Sequence, residues 1–357
     1  MSSTTGQERP KTSPRLSAAS RSNCLPGVRI VATGSYVPET VVPNSELVRL
    51  GCDEDWIVQR TGILERRHCP PEQSTSDIAY LAAADCLKKA GVDARDVDLI
   101  LVCTMTPDHF TPSTSAIVQR LLGSTATAID LNAACSGFMY GLVVGGQFIQ
   151  NQASRYVLVV GADAMSRVID PQDVKTYPLF GDAAGAALLT FDPDSRTGSG
   201  TGILAWRMGT AGDLGHLIQV PGACARMPAS EQVLRERAQF LKMDGKPVFK
   251  WAVRTIPVAV REVLELADLT LDDIDALLMH QANRRIIDAA LHELPVAPEK
   301  VPMNLQYYGN TSAASIPLLL DEILTQGTNS LDQRILMCGF GAGLTWGSCI
   351  YRGRKAY

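Results

Sequence analysis

"AGVDARDVDLILVCTMTP" (residues 90–107) is echoed further along the chain by "ADLTLDDIDALLMHQAN" (267–283). In both, the end of a helical pattern leads through an aspartate-rich turn into a short apolar run. Asp98 aligns with Asp275. A second echo supports the first: "RYVLVVGADAM" (155–165) matches "QRILMCGFGAG" (333–343), aligning Gly161 with Gly339. Two separate matches at nearly one displacement are hard to obtain by chance, and the period is too long for a solenoid. The pattern predicts two similar α/β halves.

The texture around the repeat agrees. "DLILVCTM" (98–105), "YVLVVGAD" (156–163), "GAALLTF" (185–191), "DALLMHQ" (275–281) and "RILMCGF" (334–340) read as strands buried on both faces. "TSDIAYLAAADCLKKAGV" (75–92) and "KWAVRTIPVAVREVLELADL" (250–269) read as amphipathic helices. The Gly-rich "DPDSRTGSGTG" (192–202) is the natural join between the halves. The expected organisation is a disordered tail over 1–26, a first half over 27–195 and a second over 196–357.

Bulk composition narrows the functions. The chain has 357 residues, 46% of them hydrophobic, ample for a large core. A net charge of -4 gives no support to nucleic-acid binding, and no apolar run is long enough to span a membrane. Nine cysteines without paired metal spacing argue against both a disulfide framework and a metal site. A cytoplasmic location fits. The Ser- and Arg-rich start has no apolar core, so it is no secretory signal; a disordered tail is preferred to a transit peptide.

The duplication points to a site. In open α/β structures ligands lie beyond the carboxyl ends of strands. The repeat puts His280 at such an end, as the counterpart of Cys103. Cys135, in "DLNAACSGFMYGL" (130–142), sits between a strand-like "AIDL" and a helical run. A thiol at a helix N-terminus is expected to have a lowered pKa and to act as a nucleophile, although most cysteines are simply buried. Asn310, in "YYGNTSAASIPLLLDEIL" (307–324), precedes an apolar helical run and could equally be a cap or turn residue.

"AACSGF", "HQAN", "GNTSAASIP" and "GFGAGLTWGS", in this order, resemble the β-ketoacyl-acyl-carrier-protein synthase III family, condensing enzymes of the thiolase superfamily. The similarity runs from about Gly27 to the C-terminus. It implies a thiolase-like fold, two α/β halves packed as five layers, and commonly a homodimer. It implies an acyltransferase that starts fatty-acid synthesis by condensing an acyl-CoA with malonyl-acyl-carrier protein, with no permanently bound cofactor, metal, membrane or nucleic acid. Cys135 is then the nucleophile, and His280 and Asn310 are donors to the enolate. The backbone N–H groups of Cys135 and Ala342 form the oxyanion hole, with Ala342 where the family commonly has glycine. Trp56 and Arg60 would sandwich the CoA adenine, Arg167 would lie beside it, and Asn283 would bond the pantetheine arm. Lys250, Arg284 and Arg285 suit a basic patch for the carrier protein. Thr111, before Pro112, takes the place of a residue that closes the acyl pocket across the dimer interface.

Rivals differ at named positions. A thiolase needs a second reactive cysteine, but Cys338 lies inside an expected strand. A type III polyketide synthase tends to carry proline where this chain reads Gly339-Phe340-Gly341-Ala342-Gly343. A hydroxymethylglutaryl-CoA synthase would want a glutamate near Cys135, and none flanks it. A specialised acyltransferase or secondary-metabolism condensing enzyme stays open. So does a non-catalytic acyl-thioester-binding protein, which would be expected to have lost one of the three site residues.

Overall fold

The computed structural model describes residues 23–193 and 200–354. Its first part runs β1 (Leu25–Pro26), β2 (Val28–Tyr36), β3 (Val41–Pro43), α1 (Glu54–Thr61), β4 (Glu65–Arg67), α2 (Thr75–Ala90), β5 (Leu99–Cys103), α3 (Thr114–Leu122), β6 (Thr127–Leu131), α4 (Gly137–Gln150), β7 (Tyr156–Asp163) and β8 (Ala183–Phe191). The second runs β9 (Gly202–Thr210), β10 (Ile218–Gln219), α5 (Glu231–Arg235), β11 (Lys242–Met243), α6 (Gly245–Ala267), β12 (Ala276–Met279), α7 (Arg284–Glu293), α8 (Leu305–Tyr308), α9 (Ser315–Thr325), β13 (Arg334–Gly341) and β14 (Thr345–Arg352).

Two five-stranded sheets carry the fold, in orders β2-β8-β7-β5-β6 and β1-β9-β14-β13-β12. In the first, β5 runs parallel to β6 and β7; in the second, β12 runs parallel to β13. Apolar side chains on both faces explain why β5 and β12 are buried along their whole length. Helices α4 and α9 lie between the sheets, where Phe138, Leu142, Ile316 and Leu320 share one core with residues of both. On the outer faces, α2 packs on the first sheet and α6 with α7 on the second. The result is the five-layer thiolase-like arrangement.

Local chemistry starts and stops these helices. Asp53, Ser113 and Asn283 cap α1, α3 and α7 through their side chains. Gly62, Gly91 and Gly123 end α1, α2 and α3 in the left-handed conformation.

One boundary needs correction. Leu25 and Pro26, expected in the disordered tail, form β1 and pair with Ile203 and Gly202 of β9. Leu25 is 1% exposed, so burial of its side chain orders the segment. The rest of the expected tail through residue 22, and most of the join at 192–202, lie outside the described residues. Among the described residues no helix is long and apolar enough to cross a membrane.

The halves meet at two single helical turns, Ala134–Ser136 before α4 and Ser312–Ala314 before α9. Their contact needs glycine on β7: a Cβ on Gly161 would lie 2.3 Å from the Ala313 carbonyl oxygen. Backbone cannot yield as a flexible side chain can. Gly161→Ala is therefore expected to cost about 2–3 kcal/mol of stability. Urea unfolding should show a lowered midpoint; an unchanged midpoint would contradict this packing.

Candidate active site

The strand-to-helix elbow is present as expected. β6 ends at Leu131, Cys135 occupies the single turn, and α4 starts at Gly137. The second half holds this turn in place: Ser136 Oγ lies 2.7 Å from Thr345 Oγ1, which donates to the Ala133 carbonyl. Gly341 lets β13 come close, since a Cβ there would lie 2.7 Å from Cys135 Cβ and 3.0 Å from its nitrogen.

Cys135, His280 and Asn310 line one cavity of about 170 Å³, although the three come from separate segments. Its other walls are mostly apolar, including Met105, Phe180, Leu241, Phe249 and Phe340. Sequence reasoning missed these walls, because they come from loops, a strand end and helix α6, far apart in the chain.

Burial sets the protonation of the site. It pushes the Cys135 thiol up to about 12, and the Asp163 charge acts in the same direction. Ser312 and the N–H groups of Cys135 and Ala342 face the sulfur and offset part of this rise. The lowered thiol pKa expected from the helix N-terminus is therefore corrected: desolvation outweighs the local donors. Burial also pushes His280 down to about 3, so its ring is neutral.

The donors are fixed from behind. His280 Nδ1 lies 2.7 Å from Ser315 Oγ, and Phe340 packs edge-on against the ring at 5.1 Å between centroids. With Ser315 donating to Nδ1, the ring hydrogen is assigned to Nε2. Asn310 Oδ1 accepts the Ser312 N–H at 2.8 Å. That bond fixes which amide atom is oxygen and leaves the NH₂ as donor. Ser315 was legible only as part of the quoted "GNTSAASIP" (309–317); its bond to a residue on another strand had no local signal. Ala342 has no positive φ, so a Cβ is accommodated at that position.

At the mouth, the C-terminal end of α1 meets the start of α7. Asn283 Nδ2 donates to the Arg60 carbonyl, and its Oδ1 accepts from the Arg285 N–H. Asn283 lines the cavity, with much of its hydrogen-bonding capacity used in capping. The Arg60 guanidinium lies directly over the Trp56 indole, 5.2 Å from its centroid. A purine between them would have to part the pair. Arg284 is paired with Asp288, Arg285 stacks over Phe249, and Lys250 is exposed next to Phe249 on α6.

Two expected site residues lie elsewhere. Arg167 donates to the carbonyls of Pro70 and Gln73 and lines a neighbouring cleft. Thr111 lines that same cleft and not the cavity holding Cys135. Among the described residues no group of three His, Cys, Asp or Glu side chains is placed to hold a metal ion.

Comparison with known proteins agrees with this architecture. Residues 129–212 match the family described as 3-oxoacyl-[acyl-carrier-protein (ACP)] synthase III, and residues 264–353 match its C-terminal counterpart. The β-ketoacyl-[acyl-carrier-protein] synthase III of Rhodopirellula baltica is 52% identical over 341 residues, covering 92% of this chain and 99% of that protein. The chain belongs to the synthase III family. It is thus a condensing acyltransferase of the thiolase-like fold. Among solved structures, the family's enzyme from Aquifex aeolicus superposes with a TM-score of 0.83 at 38% identity, covering 91% of this chain and 100% of the other. A priming β-ketosynthase of a polyketide biosynthetic pathway also superposes at 0.83, with 34% identity and coverage of 94% and 99%.

The electrostatics of His280 can be checked directly. Its imidazole should stay neutral from pH 8 down to about pH 4, because its pKa lies near 3. Proton uptake near the ordinary histidine value of about 6.5, observed by NMR, would contradict a desolvated ring.

Proposed function

We propose that this chain condenses an acyl-CoA primer with malonyl-acyl-carrier protein to give a β-ketoacyl-carrier protein, initiating fatty-acid synthesis. The observation that carries the reading is the meeting of Cys135, His280 and Asn310 in one mostly apolar cavity, within a chain 52% identical to a named synthase III.

In the first half-reaction Cys135 Sγ attacks the acyl-CoA carbonyl. The new S–C bond replaces the bond to the CoA sulfur, which leaves with the thiol proton. The N–H groups of Cys135 and Ala342 hold the tetrahedral oxyanion. In the second, the malonyl thioester loses carbon dioxide and its carbonyl oxygen becomes an enolate. His280 Nε2–H and the Asn310 amide donate to that oxygen. Both are uncharged, so neither readily protonates the carbanion. The carbanion then attacks the acyl-Cys135 carbonyl; the S–C bond breaks and the sulfur takes up a proton.

The mouth gives the reading its substrates. Trp56 and Arg60 take the adenine once their stack opens, with Asn283 beside the pantetheine. Lys250, Arg284 and Arg285 form a basic rim for an acidic carrier protein. CoA thioester is substrate here, and no resident cofactor takes part. A homodimer is supported by β6, an edge strand with Ile129 42% exposed, and by Phe110, 86% exposed on the loop that carries Thr111. The buried thiols Cys52, Cys69, Cys86, Cys103, Cys338 and Cys349 suit a cytoplasmic setting. The likeness to the polyketide priming enzyme supports a second reading, the same chemistry feeding a secondary metabolite.

Cys135→Ala should abolish the acyl adduct formed from acyl-CoA, whereas Cys338→Ala should retain it. His280→Ala should still be acylated but lose about 10²–10³ in the condensation rate. Mass spectrometry of the enzyme with product analysis reads both. An adduct on Cys135→Ala, or normal condensation by His280→Ala, would overturn the roles.

Primer length follows from Thr111. If the partner's loop closes the cavity, a threonine leaves more room than a phenyl ring, at about 0.8 kcal/mol per methylene buried. Primers longer than acetyl should be accepted by the native enzyme and lost first in Thr111→Phe. A panel from acetyl- to dodecanoyl-CoA tests this, and an acetyl-only native profile would defeat it.

A further inference from the structure

The turn that carries Asn310 has a duplicate in the first half, and the two are anchored differently. Asn310 Oδ1 accepts the Ser312 N–H at 2.8 Å, as Asn132 Oδ1 accepts the Ala134 N–H at 3.2 Å. Ser312 and Ala134 both have positive φ, 51° and 45°. Asn132, however, is exposed, whereas Asn310 is buried and bridged to a second segment. The Asn310 N–H donates to the Leu179 carbonyl at 2.8 Å, and the Asn310 carbonyl accepts the Gly181 N–H at 3.0 Å. This single parallel bridge grips the Asn310 backbone on both sides. Leu179 and Phe180 line the cavity together with Asn310.

Strand β4 holds both ends of the gripping segment. At one end the Arg67 carbonyl accepts the Asp182 N–H at 2.8 Å. At the other, Arg66 Nη2 donates to the Pro178 carbonyl at 2.8 Å. The same Nη2 donates to Asn44 Oδ1 at 2.8 Å, and Nη1 donates to the Val42 carbonyl at 3.0 Å. The arginine stem lies against the bridge itself. A Cβ on Gly181 would be 3.1 Å from Arg66 Cβ and 2.2 Å from the Tyr308 carbonyl oxygen. A Cβ on Gly309 would be 3.4 Å from Arg66 Cβ and 2.8 Å from the Leu179 carbonyl oxygen.

Arg66 is 0% exposed, and a buried cation carries a large desolvation penalty unless it is paired. Among the described residues it has no carboxylate in ion-pair contact. Burial lowers its pKa to about 10, so it is still a cation at neutral pH. An apolar side chain would fill this space at lower cost. What a guanidinium adds is a flat fork that fixes acceptors from separate segments at set angles.

We propose that Arg66 is a positioning residue for Asn310: by fixing the Pro178 carbonyl it sets the segment 179–181, whose bridge holds the Asn310 amide in the cavity. The inference rests on Asn310 as a donor to the enolate. The Cys135 turn is held instead by Thr345 of β14. Loss of Arg66 should therefore separate the two half-reactions.

Arg66→Met keeps an unbranched stem and removes the fork. With the primer on which the native enzyme is fastest, acylation of Cys135, read by mass spectrometry, should proceed at close to the native rate. The kcat for condensation with malonyl-carrier protein should fall about ten- to a hundredfold, the loss that a displacement of about 1 Å can bring, with KM little changed. Arg66→Lys keeps the charge without the fork and should lose a smaller part. On an Asn310→Ala background Arg66→Met should cost nothing further, because its effect passes through that amide. A merely structural role predicts that acylation and condensation fall together and that the loss persists in the double variant; either result overturns the proposal. So does a native kcat in Arg66→Met. If Arg66→Met does not fold, Arg66→Lys decides by the same readouts, and a native kcat there overturns the proposal. Failure of the underlying reading would show separately, as native condensation by Asn310→Ala alone.

Discussion

The site depends on one close approach. Two single-turn helices, one from each half, pack on each other at the centre of the molecule, with glycines of β7 and β13 against them. Gly161 takes the Ala313 carbonyl, while Gly339 and Gly341 take Ser136 and Cys135. Only hydrogen fits at these contacts. A methyl group at any of them would push the sheets from the turns and shift Cys135 away from donors that belong to the other half. Hydrogen bonds hold the same junction, since Thr345 bonds the Ala133 carbonyl and Asp163 bonds the Ala313 N–H.

Such an interior is dry, and dryness decides the charges. The neutral forms of Cys135 and His280 are favoured because neither has an opposite charge in reach that offsets desolvation. An ion pair between thiolate and imidazolium is thus disfavoured at rest. The cost is a weakly ionised thiol. In the reaction proposed above, the benefit is a pair of uncharged donors beside an enolate, where a cation could hand over a proton and end the reaction. Fixed N–H groups also stabilise an oxyanion more strongly in this medium than they would in water.

Much of this was legible in the sequence, and the boundary has a physical origin. Strands buried on both faces, such as β7, give unbroken apolar runs and were located to within a residue or two. The duplication gave the two halves, and four short motifs gave Cys135, His280 and Asn310. Strand β14 escaped because "TWGSCIYR" (345–352) mixes polar and apolar residues without clear alternation. Leu25 escaped because its partner Ile203 lies far along the chain. The raised Cys135 pKa escaped for a similar reason: a helix N-terminus is a local feature, whereas desolvation sums over both halves. Ser315 and Asp163 act through contacts between distant segments, which residue spacing does not encode.

Duplication explains how one cavity can hold unlike parts. Each half supplies the same backbone: a strand end, an asparagine-capped turn with a positive φ, and a helix that follows. Side chains then divide the work. Where the first half has Cys135 the second has Ala313, and where the second has His280 with Ser315 the first has Cys103 with Gly137. If both halves had kept an open hole beside their turns, the Ala313 N–H would be a buried donor without an acceptor, at a cost of about 1–3 kcal/mol. Asp163 removes that defect by accepting the Ala313 N–H, although burial raises its own pKa. Gly341 has no side chain to do the same, so the Cys135 N–H beside it stays open for the substrate oxygen of the proposed reaction. In the proposed reaction, the asymmetry between these two residues therefore separates the half that binds the reacting oxygen from the half that supports it.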